Sequence, residues 1–283
     1  MVADTMKRNR NARELCMRPA DYDAKLLPPP QDTAVELKHD GIHAIWRLEH
    51  GVRTLEGSDF HGAAHLIPGL AAIAAELGGA YVLDGEYINP QGFDAAVGDF
   101  KRGQGAGIIL LWDAVPVDVY EGRAQSASLR ERRARLEVAV ARVTAAGRHG
   151  GVGISRMSTG YDDEGVEMAA AAVWEEDLEG IVVKDLRSGY VRDRSTAWMR
   201  LKRKLSADVR VKSIELRKGT ALLSAVVADY KGHEVRIGVG FSEGQRKRPG
   251  DFRPGMLIEV THLGETPKGS LRSATFARVR GDR

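Results

Sequence analysis

Lys38 stands in the run Glu36-Leu37-Lys38-His39-Asp40-Gly41, and a lysine amine that sheds its proton can attack phosphorus and form a covalent phosphoramidate. Four further clusters follow in order: Asp84-Gly85-Glu86, Trp112-Asp113, Glu179-Gly180-Ile181-Val182-Val183-Lys184 and Trp198-Met199-Arg200-Leu201-Lys202. Each alone is weak, because short strings recur by chance and a glycine after an aspartate often marks only a turn. Five ordered matches over more than half the chain are strong.

Phosphoryl transfer asks a protein mainly for positioning and charge neutralisation. Lys184, Arg200 and Lys202 supply cations that could lower the Lys38 pKa and hold a triphosphate. Glu86 and Glu179 offer hard oxygen ligands for magnesium, and one of them could instead bond ribose hydroxyls; the sequence leaves both assignments open. Trp112 closes an apolar run and presents a plane on which a base can stack. Plainer roles compete: a surface lysine before a turn, glutamates paired with surface lysines, a core tryptophan.

These residues need elements to carry them. The 283 residues suit two domains, and no stretch approaches the roughly 18 apolar residues of a membrane span. The basic start lacks the apolar block of a secretory signal. The single cysteine, Cys16, excludes an internal disulfide framework and a cysteine-based zinc site. A cytoplasmic location is expected, the host cytoplasm if the source is a phage. Residues 1–32 read as a loosely structured basic arm with Lys7, Arg8, Arg10, Arg13 and Arg18, ending near Pro28-Pro29-Pro30. Strands are expected over 35–38, 44–48, 52–55, 81–88, 108–112 and 181–184, with helices over 66–77, 129–146 and 162–176. Beyond residue 205 five short strands follow at close spacing, over 209–216, 222–228, 235–239, 257–262 and 274–279. That pattern fits a five-stranded OB barrel, with an SH3-like barrel as rival. From Ser206 onward 15 Lys+Arg stand against 9 Asp+Glu, in a chain of net charge +3. A basic surplus there suits a polyanion-binding module.

The five clusters resemble motifs I, III, IIIa, IV and V of the covalent nucleotidyltransferase superfamily, and within it the ATP-dependent DNA ligases of minimal two-domain form. The ending Gly269-Ser270-Leu271-Arg272 with Arg280, Asp282 and Arg283 resembles their motif VI. The resemblance implies an α+β fold: an adenylation (nucleotidyltransferase) domain of antiparallel sheets and flanking helices over 33–205, then an all-β OB-fold domain over 206–283 that binds DNA. It implies that Lys38 carries AMP, that Glu36 and the Leu37 backbone read the adenine edge, and that Trp112 stacks on the ring. Asp40 would assist the later steps at the nick, Glu86 and Glu179 would serve ribose and metal, and Lys184 and Lys202, with Arg200, would contact the phosphates. Arg280 and Arg283 would orient pyrophosphate, with the OB domain swinging between an ATP-facing and a DNA-facing pose. ATP and Mg2+ (or Mn2+) are the implied cofactors, nicked duplex DNA the partner, and a monomer the expected state.

Three positions depart from the family pattern. His43 stands where arginine is usual and is charged only part of the time near neutral pH. The Ser-Arg pair of motif Ia is missing, leaving Arg53 as nearest substitute for a DNA contact beside Lys218 and Arg272. Arg200 replaces the first lysine of motif V, a change of geometry though not of charge. An RNA ligase and a capping guanylyltransferase share the lysine, and a noncatalytic nucleic-acid-binding protein with a decayed pocket is a rival of another class.

Overall fold

The run Tyr81–Ile88 is buried through its six central residues and becomes the middle strand of a sheet, as its β-branched and aromatic content favours. A computed structural model describes residues 16–203, 205–266 and 268–280. The chain divides into two units, Met1–Lys202 and Arg203–Arg283.

In chain order the first unit contains β1 (Arg18–Asp21), β2 (Thr33–Leu37), β3 (Ile42–Arg47), β4 (Gly51–Thr54), α1 (Ile67–Glu76), β5 (Tyr81–Ile88), α2 (Phe93–Arg102) and β6 (Ile108–Pro116). It continues with α3 (Val117–Tyr120), α4 (Leu129–Ala145), β7 (Val152–Ile154), β8 (Met157–Thr159), α5 (Asp163–Glu175), β9 (Gly180–Asp185) and β10 (Arg194–Lys202). The strands form two five-stranded sheets, β1-β10-β9-β2-β8 and β4-β3-β5-β6-β7. Only β1 with β10 and β6 with β7 pair in parallel.

Side chains alternate across each strand, and that period sorts the residues of the first sheet. Register sets Lys184 opposite both Ala34 and Trp198, so these three share a face with Glu36 and Val182. Ala34, Val182 and Trp198 meet Ile45, Val82 and Val115 of the second sheet in one apolar cluster. The opposite face, with Val35, Ile181, Val183 and Met199, packs with Val166 and Ala170 of α5. The second sheet buries its far side against α1 and α4 through Leu70, Ile73, Leu136 and Val143. Functional groups on the inner faces therefore sit between two sheets, each braced from outside by helices.

Helix starts follow their caps. Ser128 and Glu131 form a reciprocal capping box at α4, and Asp162 caps α5 by accepting from the Gly165 N–H. Several elements fall outside the sequence expectations: β1, α3, β7, β8 and the short helix over 243–246, and with them α2 and β10. The α2 segment carries Gly98 and two aspartates, poor helix formers that conceal it. The motif segment 194–202 is a strand, because β9 supplies its partner.

The expectation of a loose arm over 1–32 is corrected for its described part. Cys16 and Met17 are buried, the Met17 N–H donates to the Tyr190 hydroxyl, and β1 joins the first sheet along β10. Arg18 pairs with Asp193 at 3.0 Å. Lys7, Arg8, Arg10 and Arg13 lie outside the described residues.

The second unit is a sheet in the order β13-β12-β11-β14-β15, built from β11 (Leu205–Leu216), β12 (Leu223–Tyr230), β13 (His233–Ile237), β14 (Leu257–His262) and β15 (Thr275–Val279). A single-turn α6 (Glu243–Arg246) lies between β13 and β14. Every neighbouring pair in the sheet is antiparallel. Val209, Val226, Ile237, Ile258 and Phe276 build its core, with Phe241 stacked on Phe276 at 4.7 Å between centroids. The five strands expected from the sequence are all present.

Candidate active site

A cleft opens on the inner faces of the first unit. Glu36, Leu37, Lys38 and His39 line it from the end of β2, His43 from β3, Glu86 from β5, Trp112 from β6, Val182 and Lys184 from β9, and Trp198 from β10. Met17 and Pro19 add a wall from the N-terminal segment, which the sequence reading had left outside the domain.

Two motif glycines earn their place by close approach. A Cβ on Gly41 would lie 2.2 Å from the Tyr87 carbonyl oxygen, so only glycine lets the chain turn from Lys38 into β3 against β5. Gly180 has φ +148 and would drive a Cβ to 2.1 Å from the Leu201 carbonyl oxygen. Its own carbonyl accepts from the Lys38 N–H at 2.9 Å, which ties the lysine backbone to the start of β9.

The charged groups form two linked sets. Lys38 Nζ donates to Glu179 Oε2 at 2.6 Å, and Lys202 Nζ lies 2.6 Å from Glu179 Oε1. One carboxylate thus bridges the expected nucleophile and one of the expected phosphate-binding lysines. Deeper in, Lys184 Nζ donates to Glu36 Oε2 at 3.1 Å, and Arg133 Nη1 reaches the same oxygen at 3.3 Å. All three side chains are at most 3% exposed. Lys184 also sits 4.2 Å above the Trp198 ring and 5.8 Å from that of Trp112. Burial pulls its pKa below the ordinary lysine value; Glu36 pulls it back up and Arg133 adds to the fall. Glu86 accepts from the Gly41 N–H at 3.2 Å. Burial pushes its pKa up to about 7, with His43 and Lys38 opposing and Glu179 adding.

His43 behaves differently from the part-time cation expected of it. Its Nε2 lies 2.6 Å from Asp84 Oδ1, its Nδ1 3.9 Å from Cys16 Sγ, and its ring meets Trp112 edge-on. Burial opposes a charged imidazole, but Cys16 and Asp84 outweigh it and hold the pKa well above the ordinary histidine value. Burial keeps the Cys16 thiol pKa raised, so the Asp84 carboxylate is the group that sustains the charge. Asp84 is itself fixed through Oδ2 by the Tyr190 hydroxyl at 2.8 Å. The candidate ligand atoms of Cys16, His43 and Asp84 lie within 4.8 Å of one another, yet both ring nitrogens are already engaged, and the cluster is a hydrogen-bonded relay.

The cleft does not gather every expected residue. Arg200 lies opposite Val182 on the inner face but pairs with Asp21 of the edge strand β1 at 2.8 Å and is absent from the lining. Arg53 pairs with Asp59 at 3.1 Å and lines a separate cavity beside Arg47, His50 and Arg192. Asp40 lies in the turn between β2 and β3, outside the lining. In the second unit Arg280 pairs with Asp208 at 2.9 Å, and Lys218 is exposed near the β11–β12 turn. The Arg272 backbone bridges to Leu263 and Gly264. Arg283 lies outside the described residues.

Sequence reasoning missed Arg133, Asp84 and Met17 as parts of the site, and treated His39 only as the variable residue between Lys38 and Asp40. Burial is the first cause that lowers the His39 pKa, with Lys38 and Lys184 adding against Glu36, and its Nε2 lies 3.0 Å from Ser155 Oγ. Arg133 carried a weak signal: an arginine at an apolar-spaced position of a helix needs a buried anion.

A lysine tethered beside two carboxylates, an aromatic plane and a buried lysine, on two sheets followed in sequence by a five-stranded unit, resembles the arrangement that the motifs led us to expect. Residues 218–280 match the family described as DNA ligase OB-like domain. The chain is 27% identical, over 90% of its length, to the multifunctional non-homologous end joining protein LigD of Pseudomonas aeruginosa, and spans about a third (34%) of that relative. Among solved structures, "Pmar-Lig_Pre." aligns with a TM-score of 0.80 at 21% identity, covering 95% of this chain and 68% of that one. A structure of Lig E DNA ligases aligns at 0.73 and 19% identity, covering 94% and 99%. In its motifs, its fold and its OB-like domain the chain resembles the ATP-dependent DNA ligases.

Proposed function

We propose that the chain is an ATP-dependent DNA ligase that seals 5′-phosphate/3′-hydroxyl nicks in duplex DNA through a lysyl-AMP intermediate. The observation that carries this reading is the convergence of Glu36, Lys38, Glu86, Trp112 and Lys184 on one cleft. Lys38 Nζ, once released from Glu179 and deprotonated, attacks the α-phosphorus of ATP; a P–N bond forms and the P–O bond to pyrophosphate breaks. Lys184 and Lys202 neutralise charge on the phosphates, and Trp112 stacks on the base. AMP then passes from Lys38 to a DNA 5′-phosphate with cleavage of the P–N bond. Finally the 3′-hydroxyl attacks that phosphorus and AMP leaves, with Asp40 assisting.

Magnesium or manganese suits the donor set here, because Glu86 and Glu179 offer hard carboxylate oxygens close to Lys38. Those two residues would hold the ion, which when bound supplies positive charge to the phosphates. His43, kept cationic by Asp84, takes the place of the usual arginine toward the ribose or the DNA end. Arg280 and Arg283 serve pyrophosphate, and Arg53, Lys218 and Arg272 contact DNA. The enzyme acts as a monomer in the cytoplasm; no helix among the described residues is long and apolar enough to cross a membrane.

The test is incubation with radiolabelled ATP or GTP followed by denaturing electrophoresis, then sealing of nicked DNA against nicked RNA. Label retained from ATP, and sealing of nicked DNA, are expected. Retention from GTP alone identifies a guanylyltransferase, preference for nicked RNA an RNA ligase, and binding of nicked duplex without any adduct a noncatalytic protein.

A further inference from the structure

Glu36 holds a position that its own strand does not explain. It is a carboxylate 2% exposed, yet it lines the cleft beside the Trp112 ring. Its Oε2 takes both cations, Lys184 and Arg133, while Oε1 has no partner among the described residues. A carboxylate only accepts hydrogen bonds, so Oε1 is open to a donor from water or from a ligand in the cleft.

The two cations on Oε2 are not equivalent. Lys184 is a single flexible amine that also lies over two tryptophan rings, and phosphate is a competing partner for it. Arg133 is forked and fully engaged: Nε donates to Glu137 at 2.9 Å, Nη1 to Glu36 and to the Trp112 carbonyl at 3.3 Å each, and Nη2 to the Ser155 carbonyl. When Lys184 turns to a phosphate, Arg133 alone spares Glu36 the large cost of a buried unpaired charge. The same guanidinium grips the backbone of the stacking tryptophan, so one side chain sets both the plane and the edge against which a base is read.

We propose that Arg133 is a positioning residue for base selection: it fixes Glu36 so that Oε1 faces the base edge and selects a nucleotide whose edge carries an N–H donor there. This rests on the reading of the cleft as a nucleotide site. The ligand class is a 6-aminopurine ribonucleoside triphosphate, in preference to a purine with hydrogen or a carbonyl at that position.

The experiment compares equilibrium binding of ATP and of purine riboside triphosphate, which lacks the 6-amino group, to the full-length wild type, Arg133→Gln and Arg133→Lys. Thermal unfolding confirms that each variant is folded. A hydrogen bond to a charged acceptor predicts a wild-type preference for ATP of roughly tenfold or more. Arg133→Gln should abolish that preference, with ATP losing clearly more affinity than purine riboside triphosphate, on top of whatever loss an unpaired Glu36 imposes on both. Arg133→Lys keeps the charge without the fork and should fall between; should Arg133→Gln not fold, this variant carries the test. Adduct formation should show the same change in KM for ATP, with kcat little altered. An equal loss of affinity for both nucleotides, or an unchanged ratio, assigns Arg133 a merely structural role and overturns the proposal. If wild type binds neither nucleotide, the nucleotide reading itself fails and takes this proposal with it.

Discussion

Lys38 Nζ lies 2.6 Å from Glu179 Oε2, across 141 residues of chain, and Lys202 shares the other carboxylate oxygen. The pair is one-tenth to one-fifth exposed, so it is partly shielded from solvent. A nucleophile held this way is positioned but not yet available: its lone pair appears only when the ammonium gives up both its proton and the carboxylate. In the proposed reaction the arrangement would separate holding the amine from using it.

Substituting Lys38 by alanine or arginine should therefore abolish the covalent adduct, measured as the mass increment after incubation with ATP. Glu179→Gln keeps the shape and removes the charge; adduct formation should fall roughly 100-fold or more, the scale found when one preorganised electrostatic group is lost. A mutant with wild-type adduct yield at either position sinks the assignment.

The His43–Asp84 pair gives a dependence on pH. A histidine whose folded pKa is raised binds its proton more tightly in the native state, so its stabilisation is full below the unfolded value near 6.5 and fades as pH climbs through the folded value. Unfolding free energy of wild type should thus decline from about pH 6.5 toward alkaline pH. His43→Gln cannot titrate, and urea melts across that window should show the decline reduced. Parallel curves for the two proteins would mean that Asp84 does not sustain the charge.

The positions of most strands were legible, because apolar runs at 81–88, 181–184 and through the second unit report burial directly, whereas β1, β7, β8 and β10 and the order of strands in the sheets were not. The reactive clusters were legible as well, since Lys38, Glu86, Trp112 and Lys184 do converge. What stayed hidden depends on partners far along the chain. Arg133 meets Glu36 across 97 residues and Arg200 is drawn to Asp21 across 179. His43 looked like a weakened arginine because nothing local announces Asp84, 41 residues on. Local pattern records which face is buried, whereas charge pairing records which distant groups share that burial.

Trp112-Asp113 was read for its tryptophan, but the aspartate does different work. Asp113 is wholly buried and takes two parallel bonds from Arg132, Nε to Oδ1 at 2.9 Å and Nη2 to Oδ2 at 2.8 Å. The pair fastens α4 to β6, behind the strand that presents Trp112. Asp113→Asn leaves the buried guanidinium without its counter-charge and should destabilise the protein by about 3–5 kcal/mol in urea unfolding. A change within the spread of ordinary surface substitutions would show that α4 is held by its apolar face alone.

Arg280 tests the second unit. Its guanidinium bonds Asp208 at 2.9 Å and approaches Glu259 at 3.4 Å, an exposed arrangement that salt and solvent screen. Releasing it costs little, so the side chain is available for the contact to pyrophosphate proposed above. Arg280→Ala should leave the thermal midpoint unchanged and slow adduct formation from ATP by about 100-fold or more. Sealing of a nick already carrying AMP on its 5′-phosphate needs no pyrophosphate and should proceed near the wild-type rate. Deleting residues 206–283 should remove loading and sealing together. If the truncated chain loads AMP at full rate, the assignment of pyrophosphate to this arginine is wrong; if Arg280→Ala slows both substrates alike, the arginine serves DNA instead.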